Sequence, residues 1–416
     1  ISILAEPLRV SEAFGRLAYS KGAGVDVTEL TFRLAAGSLL EGDIAVGPES
    51  EGAPWTFRAS LATDGWADLD DVRWVDPRVP EGRYRGAATL RTGGGMLIEL
   101  HPLEVELEAS QMVFDGPVRF GEEISMQNLN VSANPITLER LEPWLQRELP
   151  IEGWLSGDAV FSGTLDELEA EGRVTLVPTG YSGSPVTADF FGTIIQGDNP
   201  GARGLRATLD PLNYTILEAL WPGVPWGGDG FGTIDIDGRI DDGMHVAASL
   251  NHLSGTGLES NFDVRGTVWR GLEVGDWITS LDVDLLPLSI GVFSSLAPGL
   301  ALRGSVAGPL TLDGPLNDLR VTADLIAGSG TILFDGAMDV TDPAASYRLR
   351  ATGDALPLAT VTGRIPMETV WSGQLDLEGT GFSADSMELS ASLVAMQSQV
   401  GLVRVDTFNT GVRVAH

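Results

Sequence analysis

The chain has 416 residues, with 58 acidic against 26 basic side chains, a net charge of −32 at pH 7, and a single lysine, Lys21. An acidity this strong argues against nucleic acid as a partner and against electrostatic docking on anionic headgroups, because no broad cationic surface is left to neutralise phosphates. Its simplest consequence is solubility. With no cysteine, disulfides, thiolate metal sites and Cys nucleophiles are excluded.

The first residue is Ile1, and no basic region followed by an apolar one opens the chain. The chain therefore reads as a piece of a longer protein, with any anchor outside it. No apolar run reaches the ~20 residues of a spanning helix. Fifty-two glycines and 23 prolines punctuate runs of alternating apolar and polar residues. That is the pattern of many short strands joined by turns.

In chain order, residues 1–68 form an N-terminal β-repeat portion and 69–134 a degenerate copy, running from Leu69 past Gly86. Repeats follow at 135–210, 211–286 and 287–356, and 357–416 is a C-terminal repeat portion, all in one continuous array without linkers. Four copies align on Asn134-Pro135-Ile136, Asp210-Pro211-Leu212, Leu286-Pro287-Leu288 and Leu356-Pro357-Leu358. These prolines are 76, 76 and 70 residues apart. Closing glycines 163, 238, 314 and 379 are 75, 76 and 65 apart, so the unit is about 75 residues.

Within each copy a short apolar segment ends near Trp144, Leu220-Trp221, Leu296 or Val361. A small turn follows at Gly153, Gly228, Gly304 or Gly373, then a strand that ends at the closing glycine. Side chains alternate across a strand. One face of this strand therefore collects Ala159 and Phe161, Ile234 and Ile236, Leu310 and Leu312, Leu375 and Leu377. The other collects Asp235 and Asp237, Thr311 and Asp313, Asp376 and Glu378. The next strand repeats the apolar face with Val174 and Leu176; Val246, Ala248 and Leu250; Val321, Ala323 and Leu325; Leu389, Ala391 and Leu393. A slip of one residue would turn every one of these to water, so the register is well specified.

Further alternating runs, Leu205-Ala207-Leu209, Leu281-Val283-Leu285 and Tyr347-Leu349-Ala351, bring the expectation to about five strands per unit. The best helix candidate is 136–148, where Ile136, Leu138, Leu141 and Leu145 fall at roughly helical spacing. The expected fold is mainly β: an elongated, curled antiparallel sheet with little helix, polar outside and apolar inside. Roughly 25 strands at about 4.8 Å each give a body on the order of 100 Å long. A closed sandwich or barrel per unit is the competing architecture. Either way the aliphatic face is a packed core or an open trough, and a trough needs an apolar ligand to cover it.

The segments LDPLNYTILEALWPGVPWGGDGFGTIDIDG (209–238) and LLPLSIGVFSSLAPGLALRGSVAGPLTLDGPLNDLRVTADL (285–325) resemble the repeats of the bacterial AsmA-like and TamB-like proteins. They share an L-x-P-L lead-in, a Leu-rich stretch ending in Pro, and then G-x-L-x-G-x-L-x-L-x-G. The resemblance covers about residues 69–395. It implies a repeating β-groove similar to bridge-like lipid transfer proteins. It also implies a site in the periplasm of a diderm bacterium, with anchoring in the inner membrane by a segment outside this chain. The function implied is carriage of phospholipid or other acyl-chain lipid between inner and outer membrane, or help in outer-membrane biogenesis. Inner- and outer-membrane proteins are then the expected partners. By this analogy Phe161, Val174, Leu176, Ile234, Ile236, Val246, Leu250, Leu310, Leu312, Val321, Leu325, Leu375, Leu377, Leu389 and Leu393 line the groove.

No cofactor, metal site or catalytic constellation is expected. His101, His245, His252 and His416 have no metal-type spacing and read as surface or loop histidines. Asp235, Asp237, Asp241 and Asp242 lack the twelve-residue loop of an EF-hand and read as a solvated face. No nucleophile elbow, P-loop or dinucleotide fingerprint occurs. Trp144, Trp221, Trp226 and Trp371 fall near repeat junctions and read as packing. The chain thus reads as a non-enzyme. The main alternative is a cell-surface or extracellular structural, adhesive β-repeat protein with a closed core. A polysaccharide-active enzyme has only the carboxylates and tryptophans behind it.

Overall fold

The computed structural model describes residues 10–22, 24–48, 50, 52–73, 79–93, 95–140, 142, 149, 151–180, 182–216, 227–271, 277–295, 301–341, 346–365, 368–381 and 388–414. Their fold is mainly β. Twenty-four strands form an antiparallel sheet that does not close, and no helix of seven or more residues occurs among the described residues. The chain divides into two compact units, residues 1–180 with 189–196 and residues 181–188 with 197–416.

The first unit carries β1 (Val10–Ser20), β2 (Gly24–Leu34), β3 (Leu39–Pro48), β4 (Trp55–Thr63), β5 (Ala67–Asp68), β6 (Arg83–Thr92), β7 (Met96–Leu107), β8 (Ser110–Phe120), β9 (Ile124–Thr137), β10 (Gly153–Thr164) and β11 (Glu167–Pro178). Each pairs antiparallel with the next, except that β4 and the two-residue β5 both pair with β6. Strand β12 (Val186–Ile195) has residues in both units. The second unit carries β13 (Gly201–Asn213), β14 (Asp229–Arg239), β15 (Met244–Leu253), β16 (Glu259–Arg270), β17 (Trp277–Ser289), β18 (Ser305–Pro315), β19 (Leu319–Ala327), β20 (Gly330–Met338), β21 (Ser346–Pro357), β22 (Thr369–Thr380), β23 (Glu388–Val400) and β24 (Val403–Val414). These pair in strict succession.

Local chemistry explains the meander. Gly328-Ser329 closes a two-residue hairpin between β19 and β20, with the glycine at φ +61°, which L side chains adopt reluctantly. The strands run one residue past the closing glycines 163, 238 and 314 and past Gly379. The expected turn at Gly373 is instead a register shift inside β22, a place where glycine commonly marks a bulge.

Each proline lead-in ends a strand and opens a short 3₁₀ turn. These turns are Leu138–Arg140, Tyr214–Ile216, Ile290–Ser295 and Leu358–Thr360, with a degenerate fifth at Leu69–Val72. Four strands, not five, run between the turns at 138–140, 214–216, 290–295 and 358–360. The apolar stretch after each proline supplies the turn, because the ring fixes φ and removes a ladder donor. The helix expected over 136–148 is not formed where it is described. Ile136 lies in β9 and Leu138 in the turn, while Leu141 and Leu145 lie outside the described residues.

A serine holds three of these turns. Just ahead of the turn, the N–H groups of Asp68, Thr137 and Ser289 donate to the hydroxyls of Ser38, Ser110 and Ser260 at 2.8, 3.1 and 3.0 Å. All three serines are buried. At the second repeat the turn is held differently: the Asn213 amide donates to the carbonyls of Ser182 and Ser184 at 3.2 and 2.9 Å, and its Oδ1 accepts from Thr215 N at 2.9 Å. At the last, Pro357 has no N–H to satisfy. The clamp answers a backbone donor that the bulged ladder leaves over.

Candidate functional site

The pairing registers place the repeated apolar positions in continuous rows. In the second unit one row runs Leu205, Ile236, Val246, Gly266, Leu281, Leu312, Val321, Gly336, Leu349, Leu377, Ala391, Val412, one residue from each of twelve strands. The neighbouring row contains Ile234, Val264, Val283, Leu310, Phe334, Leu375 and Leu393. Leu250 stands opposite Phe262, Leu325 opposite Ile332, and Leu389 opposite Gly379. In the first unit Phe161 stands between Leu129 and Ala170, Val174 opposite Gly157, and Leu176 opposite Leu155. All fifteen residues named from the sequence therefore lie on the apolar face of their unit's sheet.

Their burial is uniform and intermediate. Only Leu325, at 7 % exposure, is buried, and the other fourteen are half-buried. A face folded into a closed core hides its large aliphatics, and a bare face leaves them wet. This one does neither. At the last strand Val412 is 54 % exposed.

Part of the row is packed. Val283, Leu285, Val306, Ala323, Leu325, Ala327, Ile332, Ala351, Leu356, Trp371 and Ala395 form a buried cluster, against which Leu310, Leu312, Leu375 and Leu393 lie. Ile290, Leu358 and Val361, from the turns, pack on the same cluster. The segments after two turns are joined to one another. Arg303 N donates to Val361 O at 3.1 Å, Gly363 N to Ala301 O at 2.9 Å, and Leu302 bridges Thr362. In the second unit the 290–295 and 358–360 turns thus pack against the apolar face, and described residues that follow them are joined to one another.

The opposite face is ordered by charge. Cross-strand pairs join Arg83 to Glu106 and Arg85 to Glu104 in the first unit, at 2.7 and 2.6 Å. In the second they join Arg206 to Asp235, Arg320 to Asp335 (3.3 Å), Arg348 to Glu378 (2.8 Å) and Arg350 to Asp376 (2.7 Å). The hydrogen bond from Arg350, seconded by Gln374, holds the Asp376 carboxyl below its ordinary value. A shallow depression of about 720 Å³ lies here, over Arg320, Arg348, Arg350, Asp335, Asp376 and Glu378. Its arginines are already committed to carboxylates.

No protein-family model, curated protein or solved structure matches this chain. Its site is read from geometry.

The individual side chains singled out from the sequence sort as follows. Asp235 pairs with Arg206, Asp237 accepts from Gly204 N at 2.8 Å, Asp241 meets Arg270 at 3.3 Å, and Asp242 accepts from Asn199. Among the described residues no group of three or more His, Cys, Asp or Glu is placed to hold a metal. His101 and His245 are exposed and bond Thr89 and Thr267. His252 is not a surface residue: it has no exposed area, meets Tyr214 edge-on at 4.7 Å between ring centres, and bonds Gly227 O at 3.1 Å. Alternation puts it on the apolar face, two residues beyond Leu250, where the 214–216 turn covers it. Burial lowers its pKa and raises that of Tyr214. Tyr84, buried in the first unit's core near Asp71 and Asp68, is pushed up to about 12. Trp371 packs within the second unit's core, over Gly353, where a β-carbon would overlap its ring. Trp144, Trp221, Trp226, Leu220, Leu296 and His416 lie outside the described residues.

Proposed function

We propose that the protein carries the acyl chains of phospholipid along the apolar face of its sheet, as a non-enzymatic bridge between the inner and outer membranes of a diderm bacterium. In this proposal it works in the periplasm with proteins of both membranes, and either moves lipid or assists outer-membrane biogenesis. The observation that carries the reading is the row of aliphatic and glycine positions, unbroken over twelve strands and half-buried on all but the last of them. A site for one small molecule needs convergent polar groups at one place. A path needs the same apolar environment repeated without a preferred stop. Each methylene sheltered from water contributes about 0.8 kcal/mol with no directional contact. The resemblance of residues 209–238 and 285–325 to groove-forming repeats supports the same reading.

The test is lipid extraction and native mass spectrometry of the purified protein, with transfer of labelled phospholipid between two vesicle populations. Co-purifying phospholipid and accelerated transfer are expected. Protein free of lipid that leaves the spontaneous transfer rate unchanged refutes the proposal.

A further inference from the structure

Within the first unit, among the described residues, the charge pairing of the polar face fails at one place. Ten arginines of the first unit are described, and seven of them hold a carboxylate: Arg16, Arg33, Arg73, Arg83, Arg85, Arg140 and Arg173. The other three, Arg58, Arg91 and Arg119, have no ion pair or side-chain hydrogen bond among the described residues, and they share a single cross-strand row. Arg58 on β4 stands directly opposite Arg91 on β6. Arg91 stands opposite Leu97 on β7, and Leu97 opposite Arg119 on β8. All three arginines are exposed.

Like charges directly opposite one another destabilise a sheet. This chain has 58 carboxylates and has set one against each of the other seven described arginines of the first unit, yet here it opposes two cations. The nearest carboxylate along β7 on this face is Glu99, two residues from Leu97 and opposite Thr89 and Pro117, and it forms no ion pair with either neighbouring arginine. The row spans three strand spacings, roughly 15 Å. Guanidinium groups match phosphate oxygens two at a time, and neighbouring strands hold Arg58 and Arg91 about 5 Å apart at the backbone, close enough for one phosphate to bridge them.

We propose that Arg58, Arg91 and Arg119 form a binding site for a phosphate-bearing ligand. Arg58 and Arg91 clamp one phosphate, and Arg119 engages a second anionic group or a further oxygen of the same one. The net charge of −32 argues against such a ligand on the surface as a whole, and this row is a local exception to it. The site is on the polar face and stands independently of acyl-chain carriage. A phospholipid headgroup and a soluble phosphate compound present the same chemistry to it.

The test uses the full chain, with Arg58→Ser/Arg91→Ser against the wild type and Arg83→Ser as the paired-arginine control. Binding of inorganic phosphate is measured by calorimetry. Binding of phosphatidylcholine vesicles with and without phosphatidic acid is measured by co-sedimentation. Wild type and R83S are expected to bind phosphate, and the double variant to bind it at least about tenfold more weakly, as the loss of two charge-assisted contacts implies. Vesicle binding that needs phosphatidic acid and is displaced by phosphate identifies a headgroup, and phosphate binding alone identifies a soluble ligand. No binding by wild type, or equal binding by the double variant, overturns the site. A second readout covers the fold. In phosphate-free buffer Arg91→Glu is expected to raise the thermal midpoint, because it sets a carboxylate opposite Arg58. A lowered midpoint would show that Arg91 already serves the free protein, and would also overturn the proposal.

Discussion

Leu312 and Leu377 occupy the same apolar row on β18 and β22, four strand spacings apart, or roughly 19 Å. A bilayer's hydrocarbon core of ~30 Å is two tails thick, so one tail is roughly 15 Å long and crosses about three spacings. With the sheet sheltering one side of the chain, each strand crossed contributes about 1.5–2 kcal/mol at ~0.8 kcal/mol per fully buried methylene. Leu312→Asp with Leu377→Asp places a hydrated carboxylate at two points along the path. A moving tail has to forfeit that contribution and displace the carboxylate's water at each point. Every 1.4 kcal/mol is a factor of ten, so transfer of labelled phospholipid between vesicles is expected to fall by about tenfold or more. Both leucines are half-buried, so losing about half of the 1.5–3 kcal/mol of a buried leucine at each site costs roughly 1.5–3 kcal/mol in all. That lies within the ~5–15 kcal/mol that holds an ordinary domain together, and the far-ultraviolet dichroism of the variant should remain that of a folded β protein. Two carboxylates forced into a closed core would cost far more than this. Loss of the folded spectrum would therefore show that the row is core. A folded variant with undiminished transfer would show that the row is not the path. Either result refutes the reasoning.

Trp371→Ala, which empties the ring's place over Gly353, is expected to lower the stability of the second unit by about 3–5 kcal/mol in denaturant melts; Gly353→Ala is expected to destabilise it too, by about 1–3 kcal/mol, through overpacking. Ser260→Ala leaves the N–H of Ser289 without its acceptor and should cost about 1–3 kcal/mol, read locally as faster hydrogen exchange at the Ser289 amide. His252 is held neutral, with its folded pKa lowered by burial from the unfolded value of about 6.5. Between those two values the unfolded chain binds more protons, so stability rises with pH. The contribution is complete above about pH 6.5 and is lost as pH falls toward the folded value. Unfolding free energies measured from pH 7.5 down to 5 should show this slope in the wild type and a shallower one in His252→Gln. Equal slopes would contradict the burial argument.

The faces of the sheet were legible in the sequence because a strand's side-chain direction follows from position alone. Ile234, Leu312 and Leu377 lie where alternation put them, and the polar face carries Asp235 and Asp376 opposite. The turns were less legible. Leu138 looked like part of a helix over 136–148, since a short apolar run after proline satisfies several periods at once. His252 was misplaced as a surface residue. Its burial depends on Tyr214, which lies far from it in sequence and reaches it only when the turn folds over β15.

The sequence by itself determined the repeat, the strand content and the composition of each face, because these depend on periodicity and on turn chemistry within a few residues. Only the tertiary structure decided which side chains stand opposite one another, since pairing joins positions tens of residues apart and each bulge resets the register. It decided that the ladders stay open, that serines 38, 110 and 260 hold the turns, and that Trp371 fills the space over Gly353. It also decided that Arg58 faces Arg91: 33 residues and the short β5 separate them in the chain, and only the pairing of β4 with β6 brings the two charges together.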